Sequence, residues 1–289
     1  MCYNILMHDI ETKDSLPFSQ LKEIPQPPKK LYTQGTLPLS DTKFLTVVGS
    51  RKFSSYGKMA CEKLIGGLRG YNISIVSGLA LGTDTIAHQS ALEAGLHTIA
   101  VPGSGLNEKV LYPATNRQLA KKIIERGGLL ISEFEPDFKA TIWSFPQRNR
   151  IMAGLADAVL IIEAAEKSGT LITARMATDY NKDVLVVPGS IFSENSSGTN
   201  MLIRLGATPI RNSDDILDAL DMEKTEKEET DLSELSEEEQ KIIIALAEPL
   251  SKDELLRQNI LPAEKTNATL TLLEIKGIIK EVGGKIYRV

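Results

Sequence analysis

The chain of 289 residues has little aromatic content, about one residue in twenty, and only one tryptophan. Cysteine is scarcer still. Cys2 and Cys61 stand far apart without CxxC spacing, which fits reduced thiols and excludes a disulfide framework. Three histidines, His8, His88 and His97, show no ligand spacing, so no metal site is expected. No apolar run approaches the ~20 residues that span a bilayer, and the start lacks a basic stretch followed by an apolar one. No membrane association and a cytoplasmic location are therefore expected. The P-loop pattern G-x-x-x-x-G-K-[ST] does not occur, which counts against a nucleotidase, and VVGSRKFSSYG (47–57) is not the dinucleotide fingerprint G-x-G-x-x-G. No nucleophile, base and orienting group stand together, so no catalytic residue and no cofactor are assigned.

Net charge is −5, which argues weakly against a nucleic-acid partner, but the average hides a split. Residues 1–220 carry 23 basic and 22 acidic side chains, and residues 221–289 carry 10 and 16. Any anion site in the first part must be local. In the tail, the excess of acid makes strong duplex binding unexpected.

Residues 11–41, rich in Pro, Lys and Ser, read as an extended lead-in with at most one short strand. From 44 onward, short Val/Ile/Leu runs end in glycine or a turn: 44–50, 73–78, 97–105, 128–134, 157–164 and 183–190. Continuous apolar runs of this length predict strands buried on both faces. Helical patterns lie between them, near 57–69, 84–94, 115–126, 148–156 and 170–180. The alternation predicts a Rossmann-like, doubly wound α/β fold with a mostly parallel sheet. The expected organisation is a 1–43 extension, a 44–220 domain, an acidic linker at 221–232 and a small C-terminal domain at 233–289. Three short helices and a closing pair of strands, with GG (283–284) at the turn, suit a winged helix. A small helical dimerisation domain fits the pattern as well.

Turns after the strands carry the polar chemistry. Gly49, Ser50 and Arg51 combine close backbone approach, a hydroxyl and a guanidinium at a strand-to-helix turn, which suits phosphate. A plain turn with Arg51 in solvent has the same sequence. Ser168, Gly169, Thr170 and Thr173 stand where a helix begins after the fifth run, and further glycine turns recur at 77–84, 102–107, 188–190 and 196–200. Glu133, Glu163 and Asp84 lie near strand ends. Asp84 fits a helix cap, and Glu163 fits a partner for an arginine. In WSFPQRNR (143–150), Trp143 and Phe145 share a stretch with Arg148 and Arg150, and Pro146 is expected to keep it irregular and exposed. Rings that stack on bases and arginines that track a backbone suit single-stranded nucleic acid. The same residues also fit core rings and arginines that cap or pair.

Several segments, in order over about 44–220, resemble the DNA-processing protein A (DprA/Smf) family: GSR (49–51), SGLALGTDTIAH (77–88), YPATNRQL (112–119), FPQRNRIMAGLADAVLIIEAAEKSGTLITA (145–174) and GTNMLIRLGA (198–207). The pairing of FPxRNR with SGxLITA carries most of the specificity. The resemblance implies a Rossmann-like domain that binds single-stranded DNA, forms a homodimer and loads the RecA recombinase during natural transformation, without enzymatic activity. It implies phosphate contacts at Gly49, Ser50 and Arg51 and a basic pocket of Lys139, Arg148 and Arg150 with Asn149 between them. A ring at Trp143 or Phe145 would stack on a base, with Phe145 favoured, and Ser168, Gly169, Thr170 and Thr173 would give further contacts. The tail resembles the family's winged helix. Leu81 stands where the family usually has Arg, and the family's N-terminal helical domain is expected to be mostly missing. The competing reading is a phosphoribohydrolase-like enzyme on a related fold; it needs a glutamate beside a phosphate loop, and SSGTN (196–200) is followed by MLIR instead.

Overall fold

A computed structural model describes residues 8–11, 18–224, 235–246, 250–282 and 284–288. The chain divides into two compact units, Met1–Glu223 and Lys224–Val289. In the first, the six apolar runs form parallel strands β3 (Lys43–Val48), β4 (Ile73–Ser77), β5 (His97–Ala100), β6 (Leu129–Ser132), β7 (Ala158–Ile161) and β8 (Asp183–Val186), and a short strand outside those runs, β9 (Thr208–Pro209), follows in parallel. Two earlier strands extend the sheet beyond β6: β2 (Lys30–Gly35) pairs antiparallel with β6, and β1 (His8–Glu11) pairs antiparallel with β2. The sheet order is β1-β2-β6-β5-β4-β3-β7-β8-β9.

That order fixes where a ligand can enter. The chain starts its parallel sheet at the centre with β3 and steps outward through β4, β5 and β6. It then returns to the other side of β3 as β7 and continues to β8 and β9. The reversal leaves a crevice beyond the carboxyl ends of β3 and β7, the position where open α/β sheets bind ligands.

Helices cover both faces. On one face, α1 (Ser55–Gly66) and α2 (Thr83–Glu93) pack with α7 (Ser213–Ala219), burying Leu45, Ile65, Ile75 and Leu160. On the other lie α4 (Ser144–Leu155) and α5 (Thr170–Asp179) over Val76, Ile131, Val159 and Ile161. Helix α3 (Arg117–Glu125) closes a smaller cluster around Leu119, Ile123 and Leu130, and α6 (Ser197–Arg204) follows β8.

The lead-in is part of the core rather than an appendage. Phe18, Leu21 and Ile24 are buried, and Leu21 and Ile24 press on Gly154, where a Cβ would stand 2.9 and 2.8 Å from their side chains. Sequence patterning missed this because the apolar residues of 18–35 are spaced by a 3-10 turn at Ser19–Lys22 and prolines rather than by a regular period. An arginine clamps the segment as well. Arg150 donates from Nη1 to the Gln26 carbonyl and from Nη2 to Glu133 Oε1, and both ion-pair partners are largely buried.

The second unit is a winged helix. Its helices are α8 (Glu237–Ala245), α9 (Lys252–Arg257) and α10 (Ala263–Ile275), with strands β10 (Leu250–Ser251), β11 (Ile279–Val282) and β12 (Lys285–Arg288) in the order β10-β12-β11. Serine–glutamate capping boxes start α8 (Ser236 with Glu239) and α9 (Ser251 with Glu254). Ile242, Leu255, Leu273 and Ile286 fill the core. Ion pairs Lys265–Glu238 and Lys276–Glu239, each at 2.7 Å, join α10 and the residue that caps its end to α8. The strands exclude a purely helical module. Gly284 takes the positive φ of the turn, while Gly283 and most of the 221–232 linker lie outside the described residues.

Removing Glu133 should leave the Arg150 charge buried without its carboxylate. Glu133→Ala is expected to cost about 3–5 kcal/mol of stability, measured by urea denaturation against the parent chain. A change within ~0.5 kcal/mol, the range of an ordinary surface substitution, would contradict the clamp.

Candidate functional site

The crevice has a volume of about 980 Å³. It draws its walls from the turn after β3, the turn after β4, the first turns of α4, the turn that starts α5 and the loop after β8. Gly49, Ser50, Arg51, Phe145, Arg148, Asn149, Ser168, Gly169, Thr170 and Thr173 all line it. Three residues grouped with them by sequence do not: Lys139, Trp143 and Arg150.

WSFPQRNR is not an irregular exposed loop. From Ser144 onward it is the start of α4, and Pro146 is the helix's third residue. The first N–H groups of a helix lack intrahelical partners, so proline costs nothing there. Ser144 anchors the turn, donating from Oγ to the Gly103 carbonyl at 2.6 Å and accepting from Thr141 N at 3.0 Å.

The helix then divides its side chains by periodicity. Arg148 points inward and is 5% exposed. Its Nη1 donates to the carbonyls of Gly78 and Val101, just beyond the ends of β4 and β5, and its Nε donates to Asn149 Oδ1 at 3.1 Å. Burial pulls its pKa down to about 10, Asp84 opposes that shift and Arg51 adds to it, so the group stays charged at neutral pH. Asp84 accepts from the Ala80 N–H at 3.2 Å. Burial pushes its carboxyl up and Arg148 draws it back. Gly78 is required by this packing, since a Cβ there would stand 2.2 Å from Arg148 Nη1 and 2.5 Å from Asp84 Oδ2. Arg148 is thus the floor of the crevice. Arg150, two residues on, faces the Glu133–Gln26 clamp and is a structural residue.

The rings divide too. Phe145 stands at the crevice with the Arg51 guanidinium 5.5 Å from its centroid. Trp143 instead packs edge-on to Phe134 at 5.8 Å and tilted on Phe138 at 5.5 Å, while still half exposed. Lys139 is exposed on the segment that carries Phe138.

Two turns carry packing roles as well. Gly49 makes room for α2, since a Cβ would stand 2.5 Å from Thr83 Oγ1, and it also lines the crevice. The α5 start is partly closed on itself: Thr170 N donates to Ser168 Oγ at 3.2 Å, and Thr170 Oγ1 donates to the Gly49 carbonyl at 3.0 Å, tying α5 to β3. Among the described residues Glu163 pairs with no arginine; it accepts from Ser54 N at 2.9 Å and Ser54 Oγ at 2.5 Å at the start of α1. Exposed Arg51, Lys52 and Lys167 supply positive charge, and Glu166 and Glu194 also line the walls. Among the described residues no cluster of His, Cys, Asp or Glu could hold a metal ion, and no helix is long and apolar enough to cross a membrane.

A family model for the DNA recombination-mediator protein A matches residues 10–221, and one for the DprA winged helix domain matches 226–285. The chain belongs to the DprA/Smf family. It is 42% identical over 197 residues to the DNA processing protein DprA of Streptococcus pneumoniae, covering 68% of each chain. It is 41% identical over 197 residues to Protein Smf of Escherichia coli K12, covering 67% of this chain and 51% of that one. The chain therefore spans about half the length of the E. coli relative. The X-ray structure of the S. pneumoniae DprA has a TM-score of 0.68 at 39% identity, over 77% of this chain and 76% of that one. A DprA structure from Helicobacter pylori, described for its single-stranded DNA binding mode, has a TM-score of 0.66 at 33% identity, over 75% and 96%.

Behind Arg148, the DprA/Smf motif SGLALGTDTIAH ends in His88, which is fully buried. Thr98 Oγ1 gives its proton to the Ile75 carbonyl at 2.8 Å and so accepts from His88 Nδ1, also at 2.8 Å. Burial, then the Arg148 charge, push the imidazole pKa down to about 3. An unfolded histidine binds a proton below about pH 6.5 and the folded one does not. Stability from His88 is thus fully present above pH 6.5 and is lost as pH falls toward 3. Between pH 6.5 and 4.5 the parent chain should lose roughly 2–3 kcal/mol more than His88→Gln does, measured by urea denaturation at both pH values. Equal losses in the two proteins would contradict this assignment.

Proposed function

We propose that this protein binds single-stranded DNA in the crevice beyond β3 and β7, gripping phosphates with Arg51, Ser50 and the adjoining turns while a base stacks at Phe145. In the cell this role is protection of incoming single strands and loading of the RecA recombinase during natural transformation or recombination. The protein acts as a cytoplasmic homodimer and performs no chemistry on the strand. The juxtaposition that carries the reading is Arg51 over the Phe145 ring, a flexible exposed cation beside an aromatic face at a topological switch point. A cation and a π-face together suit a charged backbone with unstacked bases and need no base sequence. The single-stranded DNA described for the H. pylori relative supports the same ligand. The RecA and dimer roles rest on family membership.

The site residues in this reading are Gly49, Ser50, Arg51, Phe145, Asn149, Ser168, Gly169, Thr170 and Thr173, with Arg148 as the buried support beneath them. Trp143, Lys139 and Arg150 are left out because they line other parts of the surface or the core.

Fluorescence anisotropy with single-stranded and duplex oligonucleotides of equal length tests the proposal. The single strand should bind more tightly. Arg51→Ala should lower the slope of log K against log salt by about 0.7, the share of one phosphate contact on a single strand. Equal affinity for the duplex, or an unchanged slope, would count against the crevice. Release of free base from nucleoside monophosphates would favour the enzyme reading instead.

A further inference from the structure

Beside the crevice lies a second hollow of about 30 Å³. Arg51, Ala80, Phe145 and Arg148 face both spaces, so only a ridge of these side chains divides them. On the far side the hollow is closed by Leu81, Tyr112 and Pro113. Tyr112 and Leu81 are 48% and 49% exposed.

The Tyr112 ring is mounted rather than loose. Its centroid lies 5.6 Å from that of Phe145, tilted by 49°. Its backbone N–H is held by the Oγ of fully buried Ser104 at 3.2 Å. The hollow's floor is kept low by Gly78 and Gly103, where a Cβ would collide with Arg148 and with the Phe145 ring. Among the described residues the charges on its walls are the two arginines. A half-open aromatic ring, an apolar lip and positive charge, continuous with the crevice, form a seat for one more unstacked base of an anionic strand.

We propose that the hollow is a second base seat. Resting on the single-strand reading of the crevice, the strand crosses the Arg51–Phe145 ridge, keeps a phosphate at Arg51 and lays the next base on the Tyr112 ring against Leu81. The hollow is too shallow to enclose a base, so the contact is stacking, and it tolerates any base.

The test uses the full chain, a short oligothymidylate and the same oligomer carrying one abasic nucleotide at each position in turn. Tyr112→Ala should weaken binding of the intact oligomer by about 5- to 150-fold, and the loss should persist at high salt because no charge is removed. Tyr112→Phe should bind like the parent chain. The abasic position that costs the parent chain most beyond the crevice should cost Tyr112→Ala nothing further. Tyr112→Leu keeps apolar packing against Phe145 without the ring, and should lose the same binding if Tyr112→Ala fails to fold. Parent chain that binds while Tyr112→Ala and Tyr112→Leu bind equally well, or abasic profiles that coincide, would overturn the second seat alone. Parent chain that binds no oligomer would overturn the crevice reading and the seat together.

Discussion

One buried guanidinium organises the site. Arg148 joins the first turns of α4 to the segments that follow two central strands, through the carbonyls of Gly78 and Val101. Each carbonyl would otherwise be a buried acceptor without a partner, at a cost of about 1–3 kcal/mol. The charge needs Asp84 close by, Asp84 needs the tight turn at Ala80, and the pair needs glycine at 78. With α4 fixed in this way, Ser144 and the cleft at Gly103 set the Phe145 ring. The aromatic face is therefore preorganised, and little of its ordering is left to binding.

On this rigid floor the exposed cations stand in a separate layer. Arg51, Lys52 and Lys167 project from turns, where long side chains can follow a backbone of variable conformation. Glu166 and Glu194 on the same walls temper the local potential. In the proposed reading, this division of labour lets a unit with nearly balanced charge hold an anion: the positive charge is local, and one cation of the group, Arg148, is buried and shapes the site.

The parallel sheet was legible because its strands are continuous apolar runs ending in glycine, and the helices between them keep their period. The crevice was legible for a related reason, since strand-end turns in a parallel sheet must converge on one edge. What sequence could not separate was direction. Arg148 and Arg150 look alike in FPQRNR, yet helical geometry sends one to the crevice floor and the other to Glu133. Trp143 and Phe145 are divided in the same way. Pro146 was misleading because its effect depends on position within a helix. Its place in the first turn is set by Ser144, whose anchoring role has no marker in the sequence. Tyr112 and Gly103 were legible only as parts of a motif, because their partner, Phe145, lies more than thirty positions away.

The proposed function places a single strand in the crevice against the α4 aromatic face. Photocrosslinking of the full chain to a halogenated-uracil oligonucleotide, followed by peptide mapping, tests it most directly. Adducts should fall on Phe145 and on the turn that carries Arg51, with Trp143 unmodified although it is the chain's only tryptophan. Adducts confined to Trp143 or to the winged helix would contradict this placement of the strand.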